Sequence, residues 1–158
     1  MLLLALPIGM ALAAGPTVGN RTIQRKAVDT YEDFTVVDTN HPVSKAGTLS
    51  LFQYYAANTN PFELMLVDKK NVVRWISATI TPSRPGAYNL KLPKPIPVEA
   101  GWNIGVHSDS TGVIPFDMGG ANIVSTDRDS GTPAVGSALT PFSIPSKTFS
   151  RTYSLAAQ

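Results

Sequence analysis

The chain has 158 residues, enough for one domain with a core of its own. Only 15% of them are charged, against about a quarter in an average domain, and 12 Gly and 13 Pro interrupt the chain. That profile excludes a helical bundle, which needs Ala, Glu, Lys and Leu on periodic faces. The net charge of +2 comes without a basic stripe, since Arg25-Lys26 is soon followed by Asp29, Glu32 and Asp33, so nucleic acid is not an expected partner. The chain has no Cys, which removes thiolate metal sites, thiol nucleophiles and disulfides together.

The chain opens with MLLLALPIGMALAAG, an apolar run without a charge. The run is shorter than the roughly 20 residues a bilayer requires. It ends in Ala11-Leu12-Ala13, a pattern that suits a signal peptidase. We therefore expect a secretory signal peptide over residues 1–13, although no basic residue precedes the run. The other reading is a short hydrophobic tail retained for assembly. With the signal removed, the expectation is a secreted, extracellular protein without membrane insertion. Residues 14–33 are polar and weakly patterned and read as an N-terminal arm, with the domain over 34–158. Asn20-Arg21-Thr22 is an N-x-T acceptor, relevant only in a host that glycosylates.

FTVVDT (34–39) has strand-forming residues, and HPVSKAG (41–47) is a turn. TLSLFQYYAA (48–57) predicts a strand with Leu49 and Leu51 on one face and Phe52, Tyr54 and Ala56 on the other. FELMLVD (62–68) alternates with Phe62, Leu64 and Leu66 inward and Glu63 outward. A tight connection, DKKN, leads into VVRWISATIT (72–81), where Val73 and Trp75 share a face and a change of face after Trp75 predicts a bulge. After the turn PSRPG, AYNLKLP (87–93) sets Tyr88, Leu90 and Leu92 against Asn89 and Lys91. KPIPVEAG (94–101) is a Pro-rich edge leading into WNIGVHS (102–108). There Trp102, Ile104 and Val106 should be buried and His107 should face solvent. A long loop follows from Thr126 to about Ala138, and FSRTYSLAA (149–157) ends the pattern with Phe149, Tyr153 and Leu155 as core candidates. Short strands at regular spacing, without a helical period, predict an all-β antiparallel sandwich or barrel.

GAYNLKLPKPIPVEAGWNIGVHS (86–108), followed by GVIPFD (112–117), resembles secreted jelly-roll modules of the carbohydrate-binding or adhesion type. The resemblance covers Phe34 to Leu155 in outline. It implies a single-domain β-sandwich of the jelly-roll kind, with eight or nine strands, and carries over no ligand residues.

HSDS (107–110) stands where a core strand runs into a turn. Its plain reading is a strand end with an Asx-type turn. Its functional reading is a polar ligand site in which His107, Asp109 and Ser110 bond sugar hydroxyls or a metal, with Tyr55 as an exposed ring for a sugar to stack on. In STDRDSG (125–131), Asp127 and Asp129 before Gly131 look like the opening of a Ca²⁺ loop, but the twelve-residue pattern fails because position 138 is Ala. Neither His41 nor His107 lies near a G-x-S-x-G elbow, and no two carboxylates are set apart by spacing as a glycosidase pair. No catalytic residue is expected, and the one cofactor the sequence admits is a structural Ca²⁺.

The sequence thus leads to a secreted, non-catalytic module that binds a polysaccharide or glycoprotein surface. The alternative is a structural subunit of an extracellular filament, coat or matrix, a self-assembling protein whose partners are its own copies and whose arm exchanges a strand. A hydrolase comes third.

Overall fold

A computed structural model describes residues 15–126, 131–141 and 150–158. The signal segment at 1–13, the Ca²⁺ candidates Asp127 and Asp129, and the core candidate Phe149 lie outside the described residues. The described chain is all-β, with eleven strands and no helix. They are β1 Val18–Gly19, β2 Phe34–Asp38, β3 Gly47–Ala56, β4 Glu63–Val67, β5 Val73–Ile76, β6 Gly86–Val98, β7 Asn103–Ser108, β8 Phe116–Asn122, β9 Val124–Ser125, β10 Ser150–Tyr153 and β11 Leu155–Ala157. The sequence pattern anticipates eight or nine. The excess lies in β1, β9 and β11, which are too short to show a period.

The strands form a sandwich of antiparallel sheets. One sheet has the order β1-β11-β3-β6 and the other β5-β4-β7-β2-β9, while β8 and β10 make a separate ribbon. Between the two large sheets lie Phe34, Val36, Phe52, Tyr54, Phe62, Leu64, Leu66, Ile104 and Val106, all buried. Each such side chain contributes about 1.5–3 kcal/mol through removal from water. Aromatic pairs close the layer, with Phe52 stacked on Trp75 and Tyr54 edge-on to Phe62, at centroid distances of 5.1 and 5.2 Å. Tyr153 and Leu155 join this core as the alternation predicts.

Several faces differ from their sequence reading. In β3 the register shifts between Leu49 and Leu51, so Leu49 turns into the same core as Phe52, Tyr54 and Ala56. The expected bulge in β5 falls between Val73 and Trp75, not after Trp75. Val73 therefore faces the outside of the five-stranded sheet while Trp75 reaches Phe52. The expectation that β7 is solvated on one face also fails. Both faces of β7 are buried from Ile104 to Ser108. A second, smaller core of Val37, Met65, Val67, Val73 and Leu139 covers the outer face, held by a bridge between Val72 and Ala138. Glu63, expected to point outward, is buried as well, as is Asp68 in the turn after β4.

The polar segment before β2 lies on its own domain. Val18 and Gly19 pair with Ala157 and Ala156, and Ala27 bridges Phe116. Asn20 is buried, its amide nitrogen donating to Asp38 Oδ2 at 2.7 Å and to the Tyr153 carbonyl at 3.1 Å. The nitrogen a glycan would need is therefore engaged inside the folded domain. Gly101, at φ +85°, makes the turn into β7 that its place in the sequence requires, and its N–H donates to the Val43 carbonyl at 2.8 Å.

Candidate functional site

The outer face of the five-stranded sheet carries a buried polar row across three strands. Register puts Thr35 of β2 and Glu63 of β4 directly opposite His107 of β7, one on each side. All three residues are buried. Thr35 Oγ1 lies 3.0 Å from His107 Nδ1, and the Thr35 N–H donates to Thr126 Oγ1 at 3.0 Å. On the other side Thr79 donates to Glu63 Oε1 at 2.6 Å, while Glu63 Oε2 is buried without a hydrogen-bond partner. A buried carboxylate oxygen left in that state costs free energy unless something else answers it.

The row ends at a rim of two carboxylates. His107 Nε2 lies 3.0 Å from Asp109 Oδ1 and 3.8 Å from Asp33 Oδ1. The imidazole is fully buried, whereas the side chains of Asp33 and Asp109 are 29% and 61% exposed. One donor atom from each of the three residues lies within 4.8 Å of the other two. Asp33 is held in the left-handed region at φ +47°, a conformation Asp tolerates better than most residues. Its N–H donates to the Asp109 carbonyl at 3.2 Å, and its carboxylate accepts the Gly131 N–H. The start of β2 and the end of β7 are thereby fastened together with the rim.

Of the residues singled out from the sequence, the structure brings His107 and Asp109 together at this rim. Ser110 follows in the same turn with its Oγ buried and unpartnered. Tyr55 is not part of the site. It alternates with the core residues Tyr54 and Ala56 and so lies on the outer face of the other sheet. Sequence reasoning missed Asp33, Thr35 and Glu63. Asp33 looks like the end of a polar arm, and only the antiparallel pairing of Phe34 with Ser108 brings it beside Asp109. For Glu63 the alternation is correct but its outer face is covered.

A second buried charged group joins Asp29, Arg151 and Tyr153. Tyr153 donates to Asp29 Oδ2 at 2.8 Å, Arg151 pairs with Asp29 Oδ1, and its guanidinium lies 4.1 Å from the centre of the Phe116 ring. Burial first, and then the charge of Asp29, pushes the Tyr153 phenol well above its ordinary range. The group ties the segment before β2 to the β8–β10 ribbon. Elsewhere a concavity of about 420 Å³ is lined by Lys69, Lys70, Arg74, Glu99 and Trp102.

Compared with known proteins, the chain matches no protein-family model, no curated protein and no solved structure. The site's own geometry is therefore what a functional reading has to rest on.

Proposed function

We propose that the chain is a secreted, non-catalytic jelly-roll module that binds a carbohydrate, or another hydroxyl-rich extracellular surface ligand, at the loop end of β7. The observation that carries this reading is the convergence of the Asp33 and Asp109 carboxylates over a buried imidazole. Carboxylates accept strong hydrogen bonds from hydroxyls, and two on one rim suit the vicinal hydroxyls of a sugar. Both nitrogens of His107 already have neighbours within 3.0 Å, Thr35 and Asp109, which favours a positioning role over activation of a nucleophile. The chain crosses between the two large sheets from β1 to β4 and again from β5 to β7, which supports the jelly-roll assignment.

The reading is tested by glycan-array or polysaccharide pull-down binding of the wild-type chain against Asp109→Ala and Asp33→Ala. Loss of signal in both variants, with the fold intact, is the expected result. An unchanged signal, or turnover of generic ester or glycoside substrates by the purified protein, would overturn it.

One observation favours the second reading, a subunit of an extracellular assembly. β6 and the Trp75 end of β5 (its Val73 end is bonded to Gly136 and Ser137) are sheet edges that border an apolar groove of about 500 Å³ lined by Trp75, Ile80, Leu90 and Leu92. An unpaired edge beside apolar surface is a place where a second copy can add a strand. Light scattering decides this point, because a protein that stays monomeric at high concentration is not such a subunit.

A further inference from the structure

We infer that Asp33, His107 and Asp109 form a zinc site, in which three protein ligands leave the fourth position open to solvent and to the bound ligand. The inference deepens the loop-end reading and rests on it for the role of the metal.

The donor set comes first. One imidazole nitrogen and two carboxylate oxygens suit a borderline dication, while Ca²⁺ needs six to eight oxygens and Mg²⁺ a near-octahedral shell. With Zn–N and Zn–O bonds of about 2.0–2.1 Å, neighbouring tetrahedral ligands stand about 3.3 Å apart. His107 Nε2 lies 3.0 and 3.8 Å from the two Asp oxygens, which brackets that spacing.

The second shell points the same way. When Thr35 Oγ1 accepts the Nδ1 proton at 3.0 Å, the Nε2 lone pair faces the carboxylates. In that tautomer a cation between the lone pair and the two anions relieves their repulsion, and a second-shell partner at the far nitrogen is how metal-binding imidazoles are oriented.

The third observation is independent of the rim. Glu63 is only 5% exposed, lies opposite His107 on the same face of the sheet, and has one buried oxygen without a partner. Among the described residues, no Lys or Arg forms an ion pair with Asp33, Asp109 or Glu63. Two carboxylates against one imidazole, with a third on the neighbouring strand, leave an excess of negative charge that a dication would neutralise.

The test uses the full chain stripped with a chelator and titrated calorimetrically with ZnCl₂, MnCl₂ and CaCl₂ in the absence of carbohydrate. We expect one Zn²⁺ per chain, bound more tightly than Mn²⁺ or Ca²⁺. Affinity should fall at least about tenfold in Asp109→Asn and in Asp33→Asn. Because His107 is buried and its replacement can unfold the sheet, the rim variant Asp109→Asn carries the test, with circular dichroism confirming its fold. No uptake at about 0.1 mM Zn²⁺, judged also by the absence of a rise in thermal midpoint, overturns the inference, as does an unchanged affinity in Asp109→Asn. Failure of the two ideas is distinguishable. Carbohydrate binding that persists in chelator without zinc uptake sinks the metal and keeps the binding site, whereas zinc uptake without any carbohydrate signal does the reverse.

Discussion

Tyr153 and Asp29, 124 positions apart in the chain, share a hydrogen bond of 2.8 Å inside the domain. The phenol is 1% exposed and keeps its proton, which it donates to the Asp29 carboxylate, so the neutral tyrosine is the form the fold stabilises. A folded pKa raised above the unfolded value means that the native chain holds its proton longer. The contribution to stability is complete below about pH 10 and is lost as pH rises through the folded pKa. Tyr153→Phe should cost about 1–3 kcal/mol near neutrality, because it leaves an oxygen of Asp29 without that donor. It should also flatten the alkaline decline in stability above about pH 10. Urea melts at neutral and alkaline pH measure both effects, and parallel declines in variant and wild type would contradict the assignment.

Asp68 predicts the opposite limb. Burial raises its carboxyl pKa, but the Val72 N–H, the Arg74 guanidinium and the Lys70 N–H together hold it below the usual value of 3.8. Arg74 donates to Oδ2 through two nitrogens, at 2.6 and 2.9 Å, while the two backbone N–H groups share Oδ1. A depressed pKa contributes stability that is present above the unfolded value and disappears as pH falls through the folded one. Asp68→Asn should weaken the β4–β5 hairpin by about 1–3 kcal/mol at neutral pH. It should also remove part of the acid-induced loss below about pH 4, as read by thermal melts at stepped pH.

Gly105 stands where β7 passes between β2 and β4. A Cβ there would come within 2.8 Å of the Val36 carbonyl oxygen and 3.0 Å of Met65 Cγ. Backbone cannot give way as a side chain can, so Gly105→Ala should destabilise by about 1–3 kcal/mol, the usual range for overpacking. A melting temperature within error of wild type would show that the two strands have slack that the contacts do not suggest.

Asn20 offers a test in cells. Its amide nitrogen donates twice inside the domain, and its Oδ1 lies 2.8 Å from His41 Nδ1. In a host that glycosylates, a glycan at Asn20 should appear only on chains that have not folded. Mass spectrometry of the folded, secreted fraction should find Asn20 unmodified. Asn20→Ala should cost about 1–3 kcal/mol, since it removes one partner of the buried Asp38.

Much of the sandwich was legible because period-two alternation survives wherever one face of a strand meets the core. Tyr88, Leu90 and Leu92 pack against the core while Asn89 and Lys91 are exposed, as their spacing predicts. Alternation fails where a bulge inserts a residue, as at Ser50 and Arg74, because nothing in a bulged residue marks it beforehand. It also fails where a sheet is covered twice. His107 and Glu63 alternate faithfully to the outer face, yet both are buried there, His107 beneath Asp33 and Asp109, which lie outside its strand. Half of the rim was readable from HSDS, since a polar turn after a core strand stands out locally. Asp33 was not, because its place beside Asp109 depends on which strand pairs with β7.

The position of β11 has a consequence for how the chain is made. Leu155–Ala157 lie between β1 and β3, so the four-stranded sheet is interrupted in its middle until those residues have been synthesised. Before that moment Phe52 and Tyr54 belong to a strand with an open side, and Val18 has nothing to pair with. The five-stranded sheet has all its strands by Ser125, but the four-stranded one closes late, from a chain that must be kept from aggregating while that sheet lacks a middle strand.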